Sequence, residues 1–200
     1  MGRFVVLEGL SGVGKTAVFN IIRSTGLISC IHSIPCEYEK VRDVFEDKKF
    51  VDARYLFFGS ALVYSSKEIE RNLDMGNDVL VESYIFRTTC FHKGMGATAG
   101  IIFPANMPQP DQIVYLYCDA VERKRRLTER DQCFGTWQKL AEDHASAIVQ
   151  EYDRYPMRKI DTTHRTPDSI AAEIIQLFSE MNSSRTAHIR ETQNVSSRKQ

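Results

Sequence analysis

Eight consecutive residues can do chemistry together: Gly9, Leu10, Ser11, Gly12, Val13, Gly14, Lys15 and Thr16. Their order fits G-x-x-x-x-G-K-[ST], the pattern of a phosphate-cradling loop. Glycines at such spacing let the backbone take φ > 0 and turn successive N–H groups toward a polyphosphate. Lys15 adds a full positive charge for the terminal phosphates, and Thr16 a hydroxyl suited to Mg²⁺. The chemistry implied is nucleoside triphosphate binding.

The flanking residues must hold that loop in place. Phe4-Val5-Val6-Leu7-Glu8 before it is a short β-branched, apolar run, the composition of a buried parallel strand. Ala17-Val18-Phe19-Asn20-Ile21-Ile22-Arg23 after it has helical character, and a helix starting there points its positive end at the same anion. Strand, loop, Lys-Thr and helix therefore follow one another in the order a phosphate site requires.

Further strands are expected over residues 27–34, which end before Pro35, over Val79-Leu80-Val81-Glu82, over Ile113 to Cys118, and over Lys159-Ile160-Asp161. Between them lie helical stretches at 37–47, 52–73, 120–130, 137–155 and from Pro167 on, with Thr166 as its N-cap. The 37–47 helix would turn Val41, Val44 and Phe45 to one side. The middle of the 52–73 helix is apolar almost all round, which predicts burial on most faces. Residues 90–110 carry Gly94, Gly96, Gly100, Pro104, Pro108 and Pro110 and read as a mobile connection. Beyond Asn182 the chain turns polar, so residues 1–181 are expected to form one domain and 182–200 a disordered tail.

Alternating strands and helices imply an α/β fold with a parallel sheet covered on both faces. Ligands of such sheets bind beyond the carboxyl ends of the strands. The loop, Glu82, Asp119 and the segment after Ile34 all fall at such ends.

Composition bounds the function classes. The chain has 200 residues, a net charge of 0, 42% hydrophobic and 26% charged residues. A neutral balance gives no reason to expect nucleic-acid or membrane partners. No apolar run approaches the ~20 residues of a membrane span. The five cysteines (Cys30, Cys36, Cys90, Cys118 and Cys133) are odd in number and form no C-x-x-C pair, which argues against a disulfide framework or zinc site and for a reduced, cytoplasmic setting.

Taken together, the sequence resembles the thymidylate kinase and deoxynucleoside kinase family of P-loop kinases. Four stretches carry the likeness: residues 4–16; Val79-Leu80-Val81-Glu82-Ser83-Tyr84-Ile85-Phe86, which resembles a third strand followed by Asp-Arg-Tyr or Glu-Arg-Ser; Gln109-Pro110-Asp111-Gln112-Ile113-Val114-Tyr115-Leu116, which resembles a fourth strand introduced by Pro-Asp; and Arg126-Leu127-Thr128-Glu129-Arg130, which resembles the start of an arginine-bearing lid. The resemblance implies a P-loop NTPase fold with a five-stranded parallel sheet of order 2-3-1-4-5, helices on both faces, and a homodimer. It also implies ATP as donor, Mg²⁺, and a nucleoside or nucleoside monophosphate as acceptor.

Carried over residue by residue, it makes Glu82 an acid near Mg²⁺ and the acceptor, and Arg126 and Arg130 a pair closing over the transferred phosphate. The two arginines are four apart and share a helix face, whereas Arg123 and Lys124 are expected to be solvated. Glu37 loosely matches the glutamate that accepts the proton of the attacking hydroxyl; a first-turn helix carboxylate is the alternative.

Departures fall on the acceptor side. Ser83 stands where the family has the arginine of Asp-Arg-Tyr, Ala61 where it has an arginine on the long helix, and Ser11 where thymidylate kinases usually have aspartate. No glutamine occurs between Tyr55 and Tyr64. Arg87, just after the third motif, is a candidate replacement for a lost cation. Competing readings are a kinase of a non-nucleotide metabolite and a nucleotide-binding regulatory protein; the lack of a clear Asn-Lys-x-Asp segment argues against a GTPase.

Overall fold

A computed structural model describes residues 2–42, 44, 50–130 and 135–197, and the side chains of these up to residue 183. The central strand is β1 (Phe4–Glu8), buried at every position. Successive side chains of a strand point to opposite faces, so β1 feeds two cores. Val5 and Leu7 pack with α1 (Lys15–Thr25) and with α8 (Pro167–Ser197) through Phe19, Ile22, Ile170 and Ile174. Phe4 and Val6 pack on the other face with Leu62, Ile69 and Tyr84. A strand apolar on both faces needs both layers, which is why the run shows no polar alternation.

Around β1 the sheet has the order β2-β3-β1-β4-β5, as the resemblance implies, with every neighbouring pair parallel. The other strands are β2 (Ser29–His32), β3 (Val79–Glu82), β4 (Gln112–Tyr117) and β5 (Arg158–Asp161), with β2 and β5 at the edges. Its register sets Glu82 opposite both Leu7 and His32, and Glu8 opposite Tyr115. Two acids therefore reach the carboxyl edge side by side.

The remaining helices are α2 (Cys36–Arg42), α3 (Val51–Asp74), α4 (Ile85–Gly94), α5 (Ala120–Arg130), α6 (Thr136–Asp143) and α7 (Ala145–Tyr152). Helix α2 is described over Cys36–Arg42; residues 43 and 45–47 of its expected span, with Phe45 of the expected apolar side, lie outside the described residues, as does Cys133. Helix α3 buries Tyr55, Leu62, Ile69 and Leu73 but leaves Leu56 and Tyr64 more than half exposed, so it is open along one side rather than enclosed. A single helix over 137–155 is replaced by two, because His144 leaves helical geometry at φ −109°, ψ 14°.

The stretch 90–110 also differs. It begins inside α4, and its irregular part is tied down: Asp52 accepts from Thr98 N, Thr98 Oγ1 and Ala99 N, each at 2.8 Å, and Lys93 Nζ donates to Ala99 O at 2.7 Å. Gly and Pro there remove regular structure without removing order. Thr166 caps α8 as read, accepting from Ser169 N at 3.3 Å. The helix continues past Asn182 into the stretch whose composition predicts a tail, and Asn182 itself donates to Asp78.

Candidate functional site

The loop is shaped by what surrounds it. Gly9 has φ 135°, and a Cβ there would lie 2.2 Å from the carbonyl oxygen of Leu116 on β4. Only glycine lets the chain leave β1 so close to its neighbour. Gly12 (φ 87°) lies under Leu127 of α5, so this helix rests on the loop. A further tie is Arg123, whose Nη1 and Nη2 donate to Glu142 at 2.7 and 2.6 Å while Nη1 also reaches Ser11 O at 3.2 Å. Arg123 is thus a partly buried strut between loop, α5 and α6, not the solvated cation expected of it.

Lys15 opens α1 and is buried. Its Nζ donates to Gly9 O and Leu10 O, both at 2.9 Å. Burial lowers its pKa to about 8, helped by repulsion from Arg87 and opposed by Glu82 and Glu8. Beside it, Thr16 Oγ1 donates to Glu82 Oε1 at 2.6 Å. The two side chains read as metal-holding from sequence therefore touch, across 66 residues of chain.

A cavity of about 320 Å³ lies over the loop, walled by Lys15, Thr16, Glu82, Ser83, Arg87, Arg126 and Arg130. Arg126 is held by Glu122 Oε1 and Thr162 O, each at 2.7 Å, which fixes α5 to the end of β5. Glu37 lies elsewhere, on a larger groove of about 1130 Å³ with His32, Ser33 and Glu39. Glu82 and Ser83 line both spaces, so Glu37 adjoins the loop cavity without entering it. Asp119 accepts from Glu122 N at 2.7 Å and serves as the cap of α5.

Sequence reasoning passed over a second layer. Glu8 is fully buried, with Oε1 accepting from Tyr84 N at 2.8 Å and Oε2 from Tyr152 OH at 3.0 Å; burial raises its pKa. An acid closing an apolar strand was its one visible signal. Arg54 packs between Phe58 and Trp137, each ring 4.5 Å from its Cζ, and its Nη1 lies 3.2 Å from His92 Nε2. Burial pushes the His92 pKa down to about 3, so the ring is neutral. Its Nδ1 lies 2.6 Å from Thr88 O and must donate there, which leaves Nε2 to accept from Arg54.

Among the described residues, no group of three His, Cys, Asp or Glu side chains gathers as a metal cage, and no helix is long and apolar enough to cross a membrane. Hydroxyl and carboxylate oxygens in contact are hard donors, and they suit Mg²⁺, which usually takes only one or two protein ligands beside phosphate and water.

No family model matches the chain. Among curated proteins it is similar to a probable thymidylate kinase of Methanococcus vannielii, 24% identical over 193 residues, covering 87% of this chain and 94% of that one. A probable thymidylate kinase of Methanococcus maripaludis is 23% identical over 189 residues, covering 88% and 94%. One of Methanococcus aeolicus is 26% identical over 136 residues, covering 66% and 69%. Among solved structures, the thymidylate kinase of Candida albicans superposes with a TM-score of 0.70 at 16% identity over 90% of this chain and 92% of that one, a likeness of fold. Along most of its length the chain is similar in sequence to probable thymidylate kinases, and its fold is like that of a solved thymidylate kinase.

Proposed function

We propose that the chain is an ATP- and Mg²⁺-dependent phosphotransferase whose acceptor is a nucleoside monophosphate or a nucleoside. The observation that carries this is the Thr16–Glu82 contact beside Lys15 in a cavity that Arg126 and Arg130 also line. The curated relatives, named as probable thymidylate kinases, support a nucleotide acceptor.

In this reading the amides of residues 9–16 and Lys15 Nζ hold the donor phosphates, the lysine exchanging its two loop carbonyls for phosphate oxygens. Thr16 and Glu82 would hold Mg²⁺, which would supply positive charge to offset that of the donor phosphates. Arg126 and Arg130 supply positive charge around the transferring group and exclude water. A phosphate monoester has its second pKa at about 6 and attacks as an oxyanion without a base. Glu37 is then needed only for a neutral hydroxyl acceptor, which fits its place on the adjoining groove. Ser83 and Ala61 favour the second reading, a kinase of another small acceptor. A homodimer in the cytoplasm, free of nucleic-acid and membrane partners, belongs to the same proposal; the free thiols of Cys30, Cys36, Cys90 and Cys118 support a reducing compartment.

The test is a panel: ATP consumption with nucleoside monophosphates, with nucleosides and with neither. Turnover is expected with one of the first two classes and lost in Lys15→Ala. Normal turnover in that variant, or ATP consumption indifferent to any acceptor, refutes the assignment.

A further inference from the structure

Arg87, the candidate replacement for a lost cation, lies in the site. The chain passes from β3 to α4 through Ser83, which takes φ 65°. A non-glycine residue in that left-handed region is uncommon and accompanies functional turns. The turn delivers Tyr84 N to Glu8 and starts α4 at Ile85, so residue 87 falls in the first helical turn. Arg87 then lines two cavities: the one over the loop, and an adjoining one of about 160 Å³ walled in part by Arg54, Phe58 and His92.

The guanidinium is laid over the Phe91 ring, and its Nη1 is buried with no hydrogen-bond partner. A structural ion pair does not account for it. Glu8 already accepts from Tyr84 N, Tyr152 OH and the backbone N–H of Arg87. Glu82 Oε1 takes the Thr16 hydroxyl. Burial lowers the Arg87 pKa to about 10, so the group is still a cation near neutral pH. A buried guanidinium donor without an acceptor is costly, and a forked cation facing a phosphate site is suited to a bidentate phosphate contact.

We propose that Arg87 binds the phosphate of a phosphate-monoester acceptor and so sets a preference for a nucleoside monophosphate over the corresponding nucleoside. This rests on the kinase reading above. The residue does from the first turn of α4 what Ser83, at the strand end, is too short and uncharged to do.

The experiment is calorimetric titration of the whole chain with ATP, with the four deoxynucleoside monophosphates and with the four deoxynucleosides, in wild type, Arg87→Met and Arg87→Lys. For the best-bound base, wild type is expected to bind the monophosphate at least about 10-fold tighter than the nucleoside. Arg87→Met is expected to cut that ratio by roughly 10- to 100-fold while leaving ATP and nucleoside affinities nearly unchanged. Arg87→Lys should fall between, and serves alone if the methionine variant does not fold. The ratio is the informative readout, since a general packing defect weakens both ligands together. An unchanged ratio in both variants, equal losses for ATP and monophosphate, or a wild type that prefers no monophosphate overturns the proposal. An Arg87-dependent ratio in a protein that transfers no phosphate from ATP upholds Arg87 and refutes the kinase reading instead.

Discussion

Replacing Lys15 by methionine should remove phosphate transfer and make the ligand-free protein more stable. The lysine is only 8% exposed, and burial lowers its pKa from an ordinary 10.5 to about 8. A fall of that size means that charging the group costs roughly 3 kcal/mol more in the folded than in the unfolded chain. Methionine removes that cost but leaves the carbonyls of Gly9 and Leu10 without their donor, at about 1 kcal/mol each. The net gain near pH 7 is therefore about 1 kcal/mol. The pH dependence is sharper than the magnitude. Because the folded pKa is depressed, the unfolded state binds more protons between about 8 and 10.5, and wild-type stability rises across that window. Below pH 8 the full cost is present, and above about 10.5 it is gone. Lys15→Met lacks this rise, so its advantage should shrink by about 1.4 kcal/mol per pH unit above pH 8 and reverse. Urea unfolding of both proteins from about pH 7 to 9.5 reads this directly. Subtracting the two curves cancels the other titrating groups, Cys30 among them. A difference that stays flat over that range would show that Lys15 is not held in a depressed state, and the argument would fail.

Two further substitutions separate the loop's shape from its chemistry. Gly9→Ala places a methyl 2.2 Å from a backbone oxygen that cannot give way, at a φ of 135°, so a loss of more than about 3 kcal/mol is expected in urea unfolding, and a wild-type midpoint would contradict it. Glu82→Gln keeps an oxygen for the Thr16 hydroxyl but loses the charge; stability should stay within about 1 kcal/mol while the Mg²⁺ concentration needed for turnover rises roughly 10-fold or more, and an unshifted metal titration would remove Glu82 from the site.

What could be read from sequence follows from how local each signal is. The loop is eight adjacent residues with a strand before it and a helix after it, so its geometry is written in one place. Sheet order came with four motifs that belong together. Contacts between distant segments left no trace: Arg123 meets Glu142 across 19 residues, and Glu8 meets Tyr152 across 144. Helical periodicity shows that Arg123 and Lys124 sit on a basic helix, but not that one of them leans on the loop. Apolar content misled at α3, since Leu56 and Tyr64 count as core by type and stand more than half exposed. Composition was incomplete in another way at 90–110, where Pro and Gly signal irregular backbone but give no sign that Asp52, from another helix, accepts hydrogen bonds from Thr98 and Ala99.

The acceptor side joins these two lessons. By position, both arginines that the resemblance calls for are missing, at Ser83 and Ala61. In space, a cation stands a short helical distance from each. Arg87 lies four residues beyond Ser83, in the first turn of α4, where side chains lean back toward the helix start and so toward the end of β3. Arg54 lies seven residues before Ala61 on α3, roughly two turns, which returns it to about the same face of the helix. The two cations then line one cavity, together with Ser83. Their surroundings differ in a way that bears on role. Arg54 is engaged with Phe58, Trp137 and the neutral ring of His92, which fixes its position. Arg87 keeps a buried donor unpaired beside the phosphate loop. Charge is thus displaced along the helices rather than lost, and the residue with an open donor lines the cavity over the loop.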